Sequence, residues 1–156
     1  MTKIVFITPS FAVAPQLGAE DFAAIAQAGF KVVINNRPEG EEEGQLPSPA
    51  AAAHARAAGL GYSHIPAGKL DLFSGPVVDT TEAAIEDAGG PVLAYCKSGT
   101  RSAIIWAAAS ARSVHVSEVL ALLAKAGFDL DFLEDELEEQ ALLGEQRRTE
   151  ALRQVA

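Results

Sequence analysis

The chain contains a single cysteine, and an arginine follows it closely. In the stretch YCKSGTRS, the four residues from Lys97 to Thr100 separate Cys96 from Arg101. A thiolate is a strong nucleophile, and a guanidinium binds an oxyanion through two parallel N–H donors. The two residue types at this spacing therefore predict a nucleophile beside an anion-binding group.

The surrounding sequence predicts the elements that position this pair. Val92 to Tyr95 is a short apolar run typical of a buried strand, and a helical run follows over 101–112. The free N–H groups and the dipole at the start of a helix favour an anion there, and they favour the thiolate over the thiol. Gly99 permits the tight curl that turns successive N–H groups inward.

These features predict that residues 96–102, the cysteine loop, form a catalytic loop. Cys96 is the expected nucleophile, and Arg101 is the expected oxyanion ligand. The hydroxyl groups of the loop either bond the thiolate or the attached sulfur, or cap the helix. The predicted anion-binding loop consists of Lys97, Ser98, Gly99, Thr100 and Ser102.

Two upstream loops supply further candidates. Segment 36–49 follows the strand KVVIN, so Asn36 and Arg37 are expected to support the cysteine loop, with substrate contact as the alternative for Arg37. Its glutamates are expected to be solvated; if they rim the pocket, they repel multiply charged phosphopeptides. Asp71, in loop 67–75, stands where a phosphatase would need a general acid, and the alternative is a solvated loop aspartate.

Strands alternate with helices of about ten residues, which predicts an α/β fold with a largely parallel central sheet. The predicted strands are 3–8, 11–14, 31–35, 61–66 and 91–95. The predicted helices are 20–28, 47–58, 76–88, 101–112 and 117–126, the last with Ser117 as N-cap and Gly127 just past its end.

No linker divides the chain, so we expect one domain over 1–128 and a C-terminal helical extension of that domain over 129–156. The extension is acidic, and Leu130, Leu133 and Leu137 lie on one helical face. We expect this face to pack on the domain, with a homo-oligomer contact through the C-terminal helix as the alternative.

Composition excludes several classes of function. The 156 residues carry a formal net charge of −9, which disfavours nucleic acid and anionic membranes as partners. One cysteine excludes an intramolecular disulfide. The three histidines are scattered along the sequence, so no metal site is expected. No dinucleotide-binding glycine pattern follows a strand, so no cofactor is expected. No apolar run approaches the length of a signal peptide core or a membrane span, so we expect a cytoplasmic protein.

The loop CKSGTRS resembles the active-site loop of rhodaneses and of protein tyrosine phosphatases. From Ile4 to Gly127 the chain resembles the phosphatase-like domain of bacterial beta-lactamase-hydrolase-like proteins. This resemblance implies a protein tyrosine phosphatase-like α/β fold with a four- or five-stranded sheet flanked by helices. The matching stretches are VAPQL (13–17), KVVINNRPEGEE (31–42), YSHIPA (62–67) and PVLAYCKSGTRSAIIWA (91–107).

The loop departs from the phosphatase pattern in two ways. Phosphatases of this group keep five residues between cysteine and arginine, whereas four is the usual rhodanese length, and Tyr95 replaces the usual histidine. A tighter ring of donors suits a sulfur atom better than a phosphoryl group. We therefore predict a sulfurtransferase that forms a Cys96 persulfide, taking sulfur from a small anionic or persulfide substrate and passing it to a thiol acceptor. A cysteine-based phosphatase and a thiol sensor without turnover are the alternatives.

Overall fold

Five short strands form the central sheet of the computed structural model, which describes residues 2–155. The strands are β1 (Val5–Thr8), β2 (Phe11–Ala14), β3 (Val32–Asn35), β4 (Gly61–His64) and β5 (Val92–Tyr95). Along the sheet they lie in the order β1-β2-β5-β3-β4. Four strands are parallel, and only the edge strand β1 runs antiparallel to its neighbour β2. The predicted α/β fold with a mostly parallel sheet is confirmed.

Helices cover both faces of the sheet because alternate side chains of each strand point to opposite faces. In β5, Leu93 and Tyr95 pack with the first two helices, whereas Val92 and Ala94 pack with the later helices. The helices are α1 (Asp21–Gln27), α2 (Ser48–Ala57), α3 (Gly75–Asp87), α4 (Thr100–Ser110), α5 (Val116–Lys125) and α6 (Glu134–Val155), with a short 3₁₀ turn at Asp131–Leu133.

The register of the parallel strands brings their carboxyl ends to one edge of the sheet. Tyr95 pairs with Ala14 on one side and with Asn35 on the other, and Asn35 pairs in turn with His64. The loops that follow β2, β3, β4 and β5 therefore open together, as expected for the binding edge of an open parallel sheet.

The start of α5 differs by one residue from the sequence-based prediction. The helix begins at Val116 with His115 as its N-cap, so Ser117 lies inside it and does not cap it. Val116 is buried in the core, and this packing fixes the first turn without a side-chain cap. The predicted end is confirmed, because Gly127 has a positive φ of 99° just after the helix.

The C-terminal helix α6 packs against α4 and α5. Leu130, Leu133 and Leu137 all enter the hydrophobic core, but Leu130 and Leu133 precede α6 and so do not share one helical face with Leu137. Gly144 lies so close to the carbonyl of Arg112 that a Cβ would collide with it. The predicted additional C-terminal helix is confirmed. Further along α6, Leu152 is exposed, and the homo-oligomer contact stays a prediction. Within residues 2–155, no helix is both long and apolar enough to cross a bilayer.

Candidate active site

Cys96 directly follows β5 and lies under the loop that leads into α4. The residue is 0 % exposed. The backbone N–H of Gly99 donates a hydrogen bond to its Sγ at 3.1 Å. Gly99 adopts a φ of 98°, which a residue with a side chain rarely takes. The loop therefore turns an amide donor onto the sulfur, as expected from the glycine in the sequence of this loop.

Arg101 lies in the first turn of α4. The two Nη groups of its guanidinium, which form its fork, both bind one carboxylate. Its Nη1 and Nη2 donate to the two carboxylate oxygens of Glu41 at 2.9 and 2.8 Å, and Nη1 also donates to the carbonyl of Ala67 at 3.0 Å. Hydrogen bonding to Glu41 raises the pKa of Arg101. Burial opposes this shift, and the nearby Cys96 sulfur raises the pKa further. Arg101 therefore stands beside the nucleophile with its charge already partly balanced.

Glu41 bridges two arginines and is ionised. It also accepts a hydrogen bond from Nε of Arg37 at 2.9 Å. Hydrogen bonding from Arg101 lowers the pKa of Glu41 to about 2; burial opposes this shift, and hydrogen bonding from Arg37 lowers the pKa further. The expectation that this glutamate loop is simply solvated is therefore wrong for Glu41, which rims the site because two cations hold its carboxylate there.

Arg37 supports the cysteine loop indirectly. Its side chain is only 3 % exposed, and its Nη1 donates to Oε1 of Gln16 at 2.9 Å. The backbone N–H of Gln16 in turn donates to the carbonyl of Lys97 at 3.2 Å. Arg37 thus reaches the catalytic loop through Glu41 on one side and through Gln16 on the other.

Asn36 and Ser102 tie the loop after β3 to α4. The Ser102 hydroxyl donates to Oδ1 of Asn36 at 2.8 Å, and Nδ2 of Asn36 donates to the carbonyl of Ile65 at 2.9 Å. Because the Ser102 hydroxyl is used in this buried contact, it holds α4 in place and does not bond the sulfur. The hydroxyls of Ser98 and Thr100 lie 3.4 Å apart and bond each other.

Asp71 is not among the residues that line the cavity over the cysteine loop. Its carboxylate is exposed and accepts a hydrogen bond from the N–H of Gly68 at 3.2 Å. Its neighbours Lys69 and Leu72 line the cavity beside Arg101. This exposed position agrees with a solvated loop aspartate, and the role of Asp71 as a general acid stays a prediction.

A cavity of about 590 Å³ opens over the cysteine loop. Its charged side chains are two lysines, one arginine and one glutamate, so it can hold a small anion of low charge. Cys96 lies beneath the loop residues that line it. The lining residues are Glu41, Lys69, Leu72, Lys97, Ser98, Thr100, Arg101 and Ile104.

The sequence-based reasoning missed Glu41 and Gln16. Glu41 follows Arg37 by four residues, a spacing that pairs charges on a helix, but this segment contains three prolines and reads as a loop. Its contact with Arg101 spans sixty residues of sequence, and no local pattern signals it. Within the described residues, no three His, Cys, Asp or Glu side chains are grouped to hold a metal ion.

Comparison with known proteins identifies relatives of this chain and its fold. Residues 3–113 match the family described as Beta-lactamase hydrolase-like protein, phosphatase-like domain, and this match ends before α5. A beta-lactamase hydrolase-like protein of Xylella fastidiosa is 34 % identical over 142 residues, which make up 90 % of this chain and 33 % of that protein. One from Agrobacterium fabrum is 36 % identical over 137 residues, 82 % of this chain and 30 % of that protein. The chain thus spans about a third of the length of the curated relatives it matches.

Solved structures show the same fold. A candidate phosphatase of Neisseria meningitidis superposes with a TM-score of 0.76 and 32 % identity, covering 88 % of this chain and 97 % of that one. The active form of Tk-PTP superposes with a TM-score of 0.62 and 18 % identity, covering 88 % and 94 %. The expected protein tyrosine phosphatase-like fold is confirmed, and the chain belongs to the beta-lactamase hydrolase-like protein, phosphatase-like domain family.

Proposed function

We propose that this phosphatase-like domain is a sulfurtransferase in which Cys96 carries sulfur as a persulfide. The Cys96 thiolate attacks the terminal sulfur of a donor persulfide R–S–S⁻. The S–S bond of the donor breaks, R–S⁻ leaves with the bonding pair, and Cys96–S–S⁻ forms. An acceptor thiolate R′–S⁻ then attacks the terminal sulfur, giving R′–S–S⁻ and restoring the Cys96 thiolate.

The observation that carries this proposal is the ionised Glu41 carboxylate on the fork of Arg101. The fork would otherwise hold substrate oxygens, and a second negative charge there repels a phosphate dianion. Charges about 5 Å apart repel by about 3 kcal/mol per charge pair at an effective dielectric constant of about 20, before screening by solvent and salt reduces this energy. A persulfide carries a single charge and meets about half the repulsion of a dianion.

The amide donor in the cysteine loop and the chemistry of the leaving group both agree with sulfur as the transferred atom. The Gly99 amide already donates to Sγ of Cys96, and the same curl of donors can stabilise the negative charge as it moves between sulfur atoms. The leaving group of each step is a thiolate, which departs without prior protonation. The reaction therefore needs no general acid and does not depend on Asp71, whose carboxylate is exposed and bonds the amide of Gly68.

Phosphate-ester hydrolysis is the second candidate, and the comparisons favour it. The family is described as phosphatase-like, and the Neisseria meningitidis structure is named as a candidate phosphatase. Such a reaction needs a proton donor for the leaving oxygen. Glu41 is unsuited to this role because a pKa of about 2 leaves its carboxylate unprotonated near neutral pH. A phosphatase would therefore depend on Asp71 as the proton donor.

Parallel turnover assays on one preparation test the proposal. Wild-type chain and Cys96→Ser are assayed for sulfur transfer from an alkyl persulfide, for thiosulfate:cyanide transfer and for p-nitrophenyl phosphate hydrolysis. We expect Cys96-dependent persulfide transfer that exceeds phosphate release. Cys96-dependent phosphate release without sulfur transfer would show that the chain is a phosphatase. A stable modified Cys96 with no turnover would show that it is a thiol sensor.

A further inference from the structure

A buried guanidinium nitrogen next to the active site lacks a hydrogen-bond partner. Nε and Nη1 of Arg37 donate to Glu41 and Gln16, whereas its Nη2 makes no hydrogen bond within residues 2–155. The Arg37 side chain is 3 % exposed, so solvent does not satisfy these N–H groups. Buried donors in native proteins are nearly always paired, which points to a partner that binds here.

A carboxylate of the chain itself shows which chemistry this position accepts. Oε2 of Glu42 lies 3.7 Å from Nη2 of Arg37, too far for a hydrogen bond, and 3.3 Å from Nζ of Lys97. The side chains of Glu42 and Lys97 are 57 % and 65 % exposed, so both can move away from this arrangement. Two cations therefore face one position, and a loosely held carboxylate oxygen stands there.

This position opens into a second cavity that adjoins the first. The cavity, of about 460 Å³, lies between the turn after β2 and the glutamate loop, and Arg37 and Lys97 both line it. Lys97 also lines the cavity over the cysteine loop, and it directly follows Cys96 in the chain. A molecule bound between Arg37 and Lys97 therefore lies beside the loop that begins at the nucleophile.

We infer that Arg37 and Lys97 form a subsite for the carboxylate of the thiol that exchanges sulfur with Cys96. The ligand carboxylate replaces Glu42, accepts from Nη2 of Arg37 and pairs with Lys97. This inference rests on the proposed sulfur transfer, in which R′–S⁻ attacks Cys96–S–S⁻, forms R′–S–S⁻ and releases the Cys96 thiolate. By microscopic reversibility, the persulfide of the same thiol uses the same subsite as a donor.

Two acceptors matched in size test the subsite. Cys96 is first loaded with sulfur from inorganic polysulfide, which carries no carboxylate, and loading is verified by intact mass. Transfer to 3-mercaptopropionate is then compared with transfer to uncharged 3-mercaptopropionamide. We expect the carboxylate to be preferred by about tenfold in kcat/KM, the scale of one or two charge-assisted hydrogen bonds.

Variants connect this preference to the subsite. Glu42→Gln removes the competing carboxylate and should raise the ratio of carboxylate to amide rates several-fold, whereas Lys97→Met should lower it. Lys125→Met, on α5, removes the same charge elsewhere and should leave the ratio unchanged. Loading of Cys96 followed by a ratio near one, or a ratio insensitive to both Glu42→Gln and Lys97→Met, would overturn the subsite alone. Failure to load Cys96 would overturn the proposed function and the subsite with it.

Discussion

Replacing Glu41 with glutamine changes the charge on the fork of Arg101 while keeping the shape of the side chain. In the wild-type chain, both oxygens of Glu41 accept from Arg101, and one also accepts from Arg37. Glu41→Gln keeps one acceptor oxygen and removes the negative charge. We expect anions to bind the fork more tightly, and dianions to gain more than monoanions.

The size of the effect follows from the geometry. Charges about 5 Å apart at an effective dielectric constant of about 20 interact by about 3 kcal/mol. The Glu41 side chain is 29 % exposed, so solvent and salt screen this interaction, and we take about 1 kcal/mol per charge pair. That is about fivefold in binding for a monoanion and about 25-fold for a dianion.

The assay compares kcat/KM for thiosulfate, a dianion, with that for an alkyl persulfide, a monoanion, together with inhibition by phosphate. Glu41→Gln should raise the thiosulfate-to-persulfide ratio about fivefold, following the difference of one charge, and strengthen phosphate inhibition. Glu86→Gln, on the exposed surface of α3, removes an equal charge away from the site and serves as the control. An unchanged ratio, or an equal rise in both variants, would refute a selective effect of Glu41 on substrate charge.

The remaining predictions concern the loop, the candidate acid and pH. Gly99→Ala should destabilise the chain by about 1–2 kcal/mol in urea unfolding, because its φ of 98° is strained for alanine, and should slow sulfur transfer. Asp71→Asn should leave persulfide transfer within about twofold, whereas a loss of about a hundredfold would identify a general acid. The lowered pKa of Glu41 means that its ion pairs stabilise the fold above about pH 4.5 and that this contribution is lost as pH falls through about 2. The difference in unfolding free energy between wild type and Glu41→Gln, about 1 kcal/mol at pH 7, should therefore shrink toward zero in acid.

Features set by neighbouring residues were predictable from the sequence. The apolar run before Cys96, the glycine within the loop and the helical run after it lie within about twenty residues, and together they predicted the strand–loop–helix unit that the structure contains. The parallel sheet followed from the alternation of strands and helices. The antiparallel direction of β1 was not specified, because a short apolar run does not show which way a strand runs.

Contacts between distant segments could not be predicted. Glu41 meets Arg101 because the loops after β3 and β5 open at the same edge, and the sequence alone did not show which of four neighbouring glutamates would reach it. The orientation of Asp71 depends on a bond to the amide of Gly68 within its own turn. The buried contact of Ser102 with Asn36 likewise depends on how α4 packs on the sheet.

The most direct test of the central claim is the intact mass of the chain after brief exposure to an alkyl persulfide. Sulfur transfer predicts the mass of one added sulfur atom on Cys96, absent from Cys96→Ser, and its removal when a thiol acceptor is added. A chain that gains no sulfur while Cys96 hydrolyses a phosphate ester would contradict sulfur transfer at this site.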